Sequence, residues 1–227
     1  NNTLHIFNPK KFPFTSITRS ITGLPAGVNV EGIDFRPVNG QLHALGTNGN
    51  LYAINLSNGA VSFLSVLSVA LDGSSFGVDF NPVADRLRIV SNNRQNLRVN
   101  VTTGAAIIDG TLTPVSGTAT PFVNGAAYTN SFAGTTSTVL YDIDSQSNKL
   151  FKQDPPNGGG LVEIGNLGVV VDAANGFDIG GTTGDAYALL TVGGVSGFYK
   201  INLSTGAAFR IADFPAGVKG LALGFGL

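Results

Sequence analysis

The sequence predicts an all-β fold, a five-bladed β-propeller built as a single domain over residues 1–227. Three observations lead there. A motif opening on glycine, Gly32-Ile33-Asp34-Phe35-Arg36-Pro37, returns as Gly77-Val78-Asp79-Phe80-Asn81-Pro82, with looser copies starting at Gly125, Gly176 and Gly220. The steps between these glycines (77−32, 125−77, 176−125 and 220−176) are 45, 48, 51 and 44 residues, the period of a blade of four short strands. No segment carries apolar residues at helical spacing between caps, so almost no helix is expected.

The first full repeat sets the template. Gly32–Phe35 is a short apolar run closed by Pro37, and Gln41–Gly46 is the second strand. Asn48-Gly49 is a hairpin signal that leads into the third strand, Asn50–Asn55, and Asn58-Gly59 turns the chain into the fourth, Ala60–Val66. The second repeat follows as Gly77–Phe80, Arg86–Ser91, Asn96–Val101 and Ala105–Ile108. The third is the most divergent: Gly125–Tyr128, Thr138–Asp142 and Lys149–Gln153, then a longer turn over 154–160 and a last strand, Leu161–Ile164. The fourth runs Gly176–Ile179, Ala186–Val192, Gly197–Asn202 and Ala207–Ile211. The turn before the last strand reads Asn-x-Ser/Thr-x-Gly at Asn55, Asn100 and Asn202. Asn bonds its own backbone there and Gly supplies a positive φ, so these sequons are read first as turn chemistry.

The two ends share the fifth blade. Thr3-Leu4-His5-Ile6-Phe7 resembles a third strand, Thr15–Ile21 a fourth, and Gly220–Leu223 an inner strand. Pairing of the C-terminal strand with the N-terminal ones is expected to close the ring and remove free sheet edges. The second strand of that blade is then either Gly224–Leu227 or a stretch ahead of Asn1.

Composition narrows the function classes. Only 12% of residues are charged and the formal net charge is −1, which offers no electrostatic basis for binding nucleic acid or an anionic membrane. The chain has no Cys, hence no disulfides or thiolate metal sites, and no apolar run long enough to span a bilayer. A start without Met fits a processed export precursor or a trimmed chain. A weakly charged surface rich in Asn, Thr and Gly is prone to self-association.

The sharpest chemical constellation is Asp34, Asp79 and Asp178, each third in its inner-strand motif and each expected beside the central channel. Three carboxylates there suit stitching of blade to blade through backbone amides, binding of a ligand or a structural calcium ion, or acid–base hydrolysis of a glycan. Ala127 and Ala222 occupy the equivalent position in the other two copies, which favours stitching. Arg36, Arg86, Arg88 and Arg98 form a second group, suited to clamping an anion or to pairing with local acids such as Asp79 and Asp85. Asp142-Ile-Asp144-Ser-Gln-Ser-Asn148 faintly resembles a calcium loop but lacks its central Gly and final Glu. Gly73-Ser-Ser-Phe-Gly77 matches a nucleophile elbow in letters yet leads into a strand, where an elbow needs a helix. His5 and His43, the only histidines, lie in separate strand-like runs. Repeated blades suit carbohydrate binding, although the chain has no Trp and five Tyr for stacking on a sugar.

Several ordered segments carry a wider resemblance: Gly32–Pro37, Gln41–Gly46, Phe76–Pro82, Asp85–Ser91, Asn96–Asn100, Ala127–Asn130, Leu140–Asp144 and Gly176–Ile179. Together they make the chain similar to a bacterial family known as domain of unknown function 4394. The resemblance implies a propeller of exported or cell-surface proteins, with no established activity or catalytic residue. The expectation is therefore a secreted or surface module, without catalysis, that binds, adheres or assembles with itself or with matrix components. The competing expectation is a glycan hydrolase using the three aspartates.

Overall fold

The computed structural model describes residues 2–11, 16–215 and 217–224. The chain opens with a hairpin of β1 (Thr3–Ile6) and β2 (Ile17–Ser20), which forms its own two-stranded antiparallel sheet. Four blades follow, each an antiparallel sheet whose strands run in chain order from the centre outwards. Blade one is β3 (Val30–Arg36), β4 (Gln41–Gly46), β5 (Asn50–Ile54) and β6 (Val61–Val66). Blade two is β7 (Phe76–Asn81), β8 (Arg86–Ser91), β9 (Asn96–Val99) and β10 (Ala106–Ile108). Next come β11 (Thr113–Pro114) and then blade three, β12 (Val123–Tyr128), β13 (Leu140–Asp144), β14 (Lys149–Gln153) and β15 (Gly160–Asn166); β11 lies parallel to the outer edge of β15. Blade four is β16 (Ala173–Ile179), β17 (Ala186–Val192), β18 (Val195–Ile201) and β19 (Ala208–Asp213). The only helix among the described residues is a single 3₁₀ turn, Pro156–Gly158, in the expected long turn of blade three.

The turn chemistry is as the sequence implies. The side chains of Asn55, Asn100 and Asn202 each accept an N–H two residues on, from Ser57, Thr102 and Ser204. Gly104 closes its turn at φ +74° with its Cα against the Val66 carbonyl of the preceding blade, so a side chain is excluded both by conformation and by space. Apolar clusters fill the blades and the spaces between them. The largest joins blades three and four through Ala127, Ile143, Leu150, Phe177, Ala188 and Tyr199 among others.

Two expectations are corrected. The molecule has four blades, not five, and no strand pairing closes the ring among the described residues. Gly220–Leu223 is extended along the channel but belongs to no sheet. Its position is nevertheless that of an inner strand: a methyl on Gly176 of β16 would meet the Leu221 nitrogen at 2.5 Å, and one on Gly220 would meet the Ile33 nitrogen of β3 at 3.1 Å. A sheet needs a neighbour at strand spacing, and no described strand lies between this segment and β1; the Leu223 N–H bonds the Asp178 carboxyl instead. Of the expected strand residues, Thr15 and 225–227 lie outside the described residues, and Gly224 is not in a strand. The third repeat also differs in register: its second strand is Leu140–Asp144, two residues later than the alignment predicts.

Candidate functional site

The inner strands β3, β7 and β16 carry Asp34, Asp79 and Asp178 to the centre of the molecule, where one oxygen from each lies within 4.8 Å of the others. All three are buried, at 3%, 1% and 3% exposure. What holds them is a complete accounting of inner-strand amides. The Asp34 carboxyl accepts the Phe35 and Phe80 N–H groups, both at 2.7 Å. Asp79 accepts the Tyr128 N–H at 3.2 Å. Asp178 accepts those of Ile179 at 2.6 Å and Leu223 at 2.5 Å. Each carboxyl thus reaches from one inner strand to the residue that follows position three of the next.

Where position three is alanine, the following amide has no incoming carboxyl. Ile179 follows Ala127 around the ring and Phe35 follows Ala222; in both cases the residue's own preceding aspartate turns back to accept its N–H. Three aspartates therefore satisfy five inner-strand amides, three of them buried and two partly buried, as the rarity of orphaned backbone donors demands.

The electrostatics follow from burial. Loss of water drives all three acids upward, Asp34 and Asp79 well above the ordinary carboxylate range and Asp178 to about 7. Mutual repulsion adds to the rise of Asp34 and Asp79, while the amide hydrogen bonds oppose it in every case. Asp79 is also hydrogen-bonded to Asp178, which raises the first and lowers the second. Two carboxyls bond only through a shared proton. Toward the glycine level of the channel the remaining void is about 10 Å³, at the lower limit for a single water.

The arginines are not brought to the aspartates. Arg36 makes a two-pronged bond to Asp85, tying the end of β3 to the turn after β7. Arg86 bonds the backbone carbonyls of Ala84 and Asp85. Arg88 is 1% exposed and lies in a separate network: it donates to Tyr128 Oη at 3.2 Å, Asn96 Oδ1 at 2.6 Å, Asp109 Oδ2 at 2.7 Å and Asn157 Oδ1 at 2.9 Å. Arg98 grips the same Asp109 through two bonds. This network spans blades two and three. The sequence singled out its arginines and the segment that begins at Asn96, whereas Asp109 and Asn157 carry no motif, and these three partners come from three separate segments.

Other candidates resolve into structure. In the calcium-like stretch, Asp144 accepts the Gln146 and Ser147 amides at 2.9 and 2.8 Å, which is a turn cap. Its neighbour Asp142 points inward, has no hydrogen-bond partner on either oxygen among the described residues, and is pushed up to about 8 by burial. At neutral pH it is mainly the uncharged acid. His43 packs edge-on against Phe80, and burial holds its pKa down; His5 sits against Phe214 on the far side of the ring. Gly73–Phe76 leads into β7, with no helix. Four of the five tyrosines, Tyr52, Tyr128, Tyr187 and Tyr199, are buried and present no face to a sugar.

A cleft of about 530 Å³ lies elsewhere, between β1 and the segment 217–224. Leu4, Ile6, Val30, Leu42, Leu221 and Ala222 are among its walls. Ile33, Phe35 and Gly220–Leu223 of the repeat motif line part of it, but the motif does not by itself mark a cavity there.

No curated protein sequence matches the chain significantly. Among solved structures, it is similar to a structural-genomics protein of unknown function from Bacteroides thetaiotaomicron, with 16% identity and a TM-score of 0.60, over 94% of this chain and 56% of that one. It also resembles a chain of a nidogen/laminin complex (12% identity, TM-score 0.52, 77% of this chain and 62% of that one). A third likeness is to Myxococcus xanthus glutaminyl cyclase (14% identity, TM-score 0.50, 82% and 81% covered). The chain spans little more than half of the first of these structures, and at such identities the likeness is one of fold, the β-propeller. A family model, domain of unknown function DUF4394, matches residues 3–222; the chain belongs to that family.

Proposed function

We propose that this protein is an exported, non-catalytic propeller that associates through its rim, with further copies of itself as the first partner. The observation that carries this reading is the fourth strand of every blade, together with β2 of the hairpin. Ile17 on β2, Phe63 and Val66 on β6, Ile107 and Ile108 on β10, Val162 on β15 and Phe209 on β19 are all exposed. Apolar side chains repeated around the perimeter form a surface that water penalises, and a net charge of −1 gives little repulsion to keep copies apart. Export and a surface location are the family expectation and suit such an assembly.

The hydrolase reading has less support. Glycosidases need one carboxyl that donates and one that attacks or activates water, about 5–10 Å apart and open to the substrate. Here the acids are buried, their oxygens lie within 4.8 Å, and backbone amides already occupy them.

Light scattering over a roughly hundredfold range of concentration tests the proposal, because mass action must shift a reversible assembly. Growth in mean mass with concentration is expected, and its loss in the triple variant Phe63→Ser, Ile108→Ser, Phe209→Ser with an unchanged melting curve. A protein that stays monomeric throughout overturns it.

A further inference from the structure

We propose that Asn55, Asn100 and Asn202 are acceptors of N-linked sugar, each joined through its carboxamide nitrogen to the anomeric carbon of a sugar delivered on a diphosphate. This goes beyond the rim association and does not depend on it.

The turn alone does not call for the full residue pattern. Asn55, Asn100 and Asn202 each accept the backbone N–H two residues on, from Ser57, Thr102 and Ser204. Asn39, Asn48 and Asn58 make the same bond with the N–H groups of Gln41, Asn50 and Ala60. A backbone N–H is all this bond needs, so any residue but proline serves two places on. Gln, Asn and Ala serve there in one set of turns, whereas a hydroxyl stands there in every member of the other. The hydroxyl is therefore surplus to the turn, and Asn-x-Ser/Thr is the pattern of an N-glycosyl acceptor on a surface loop.

The carboxamides are placed for the reaction. Asn55 and Asn202 are exposed and Asn100 is half-buried. Among the described residues, the Nδ2 of none of the three makes a hydrogen bond. The buried Asn96 and Asn124, by contrast, spend theirs on the Gly110 and Pro156 carbonyls and on Ser145 Oγ. The Ser57 and Ser204 hydroxyls donate to Asn55 Oδ1 and Asn202 Oδ1, both at 2.7 Å. A donor on the carboxamide oxygen draws charge toward it, which eases loss of an Nδ2 proton. The step forms the bond from Nδ2 to the anomeric carbon and breaks that carbon's bond to the diphosphate oxygen. The diphosphate leaves with the electron pair, one Nδ2 proton passes to a base of the transferring enzyme, and nothing is oxidised or reduced. Strands alternate in direction within each blade, so the three acceptors stand at the same end of their blades, where the third strand meets the fourth. Blade three differs: the Asn157 of its turn accepts from Arg88 and has Gly159 two places on, so it offers no acceptor.

The test compares the intact mass and peptide map of the protein isolated from its native cells with those of the same chain made in cells without N-glycosylation. A mass excess located at Asn55, Asn100 and Asn202, and absent from Asn39, Asn48 and Asn58, is expected. Asn1 also begins such a pattern but lies outside the described residues, so sugar there counts for neither side. A single hexose at each site names a nucleotide-linked donor, and a chain of several sugars a lipid-linked one. Unmodified Asn55, Asn100 and Asn202 in the native protein overturn the proposal, and so does sugar spread equally over both sets of asparagines. Ser57→Ala and Ser204→Ala separate acceptor from turn. Each keeps the N–H that closes its turn, so Tm should move by less than about 2 °C, while the mass excess at Asn55 or Asn202 is lost. Sugar retained in both variants overturns the assignment. The Phe63, Ile108 and Phe209 variants leave these turns intact, so an unmodified protein and a monomeric one are separate failures.

Discussion

At the junction of blades two and three, Asp79 reaches across to the Tyr128 amide, and the buried Arg88 behind it joins Tyr128, Asn96, Asp109 and Asn157. At the next junction the same position is Ala127, fully buried in a cluster with Ile143, Leu150, Phe177, Ala188 and Tyr199. The inner strands meet in the same way at both. One junction is held by directed bonds whose loss leaves buried groups unpaired; the other by apolar area that gains whatever its register. The comparison shows why the motif tolerates both residues: an alanine is acceptable wherever the next amide already has an acceptor of its own, as Ile179 has in Asp178.

Substitutions break this pattern to different degrees. Asp34→Ala strips the acceptors from the buried Phe80 amide and the partly buried Phe35 amide, and should cost the most, about 4 kcal/mol in urea unfolding. Ala127→Asp puts a carboxyl into the apolar junction when the Ile179 amide is already taken. A loss of about 3 kcal/mol is expected, and a neutral result would show that the cluster can supply another donor. Asp79→Ala frees only the Tyr128 amide, whose bond is the longest of the five, and should cost about 1 kcal/mol.

Asp79→Asn should be the mildest change and the most informative. Its carboxamide keeps an acceptor for Tyr128 and donates to Asp178 as the protonated acid does, so stability at pH 5 should move by less than about 1 kcal/mol. The pH dependence is where it differs. Acids raised by folding contribute stability that is fully present below their unfolded value of about 4. That contribution is lost as pH rises, through about 7 for Asp178 and about 8 for Asp142. Wild-type stability should therefore fall from mildly acid to mildly alkaline pH, and the Asn variant should fall less steeply. Equal slopes would remove the shared proton from Asp79.

Much of this was legible in the chain. The glycine-led repeat places all four inner strands, and Gln41–Gly46, Arg86–Ser91, Lys149–Gln153 and Ala186–Val192 match their predicted bounds. Local chemistry sets these: alternation of apolar residues, an Asn that bonds its own turn and a Gly that accepts positive φ. The three aspartates were also visible, because a motif repeated by period repeats its position at the channel.

What the sequence by itself determined is the strands of the four blades, most of their turns and the equivalence of Asp34, Asp79 and Asp178. Only the tertiary structure decided what those residues do and how many blades form. Whether a carboxyl meets a ligand, a cation or an amide depends on partners 45 to 49 residues away in the next blade, which no local pattern encodes. Arg88 takes its partners from four segments for the same reason. The segment 220–223 has an inner-strand motif, yet becomes a strand only if a neighbour supplies the other half of each hydrogen bond. Sheet formation is a property of pairs, and a one-dimensional pattern describes one member of each.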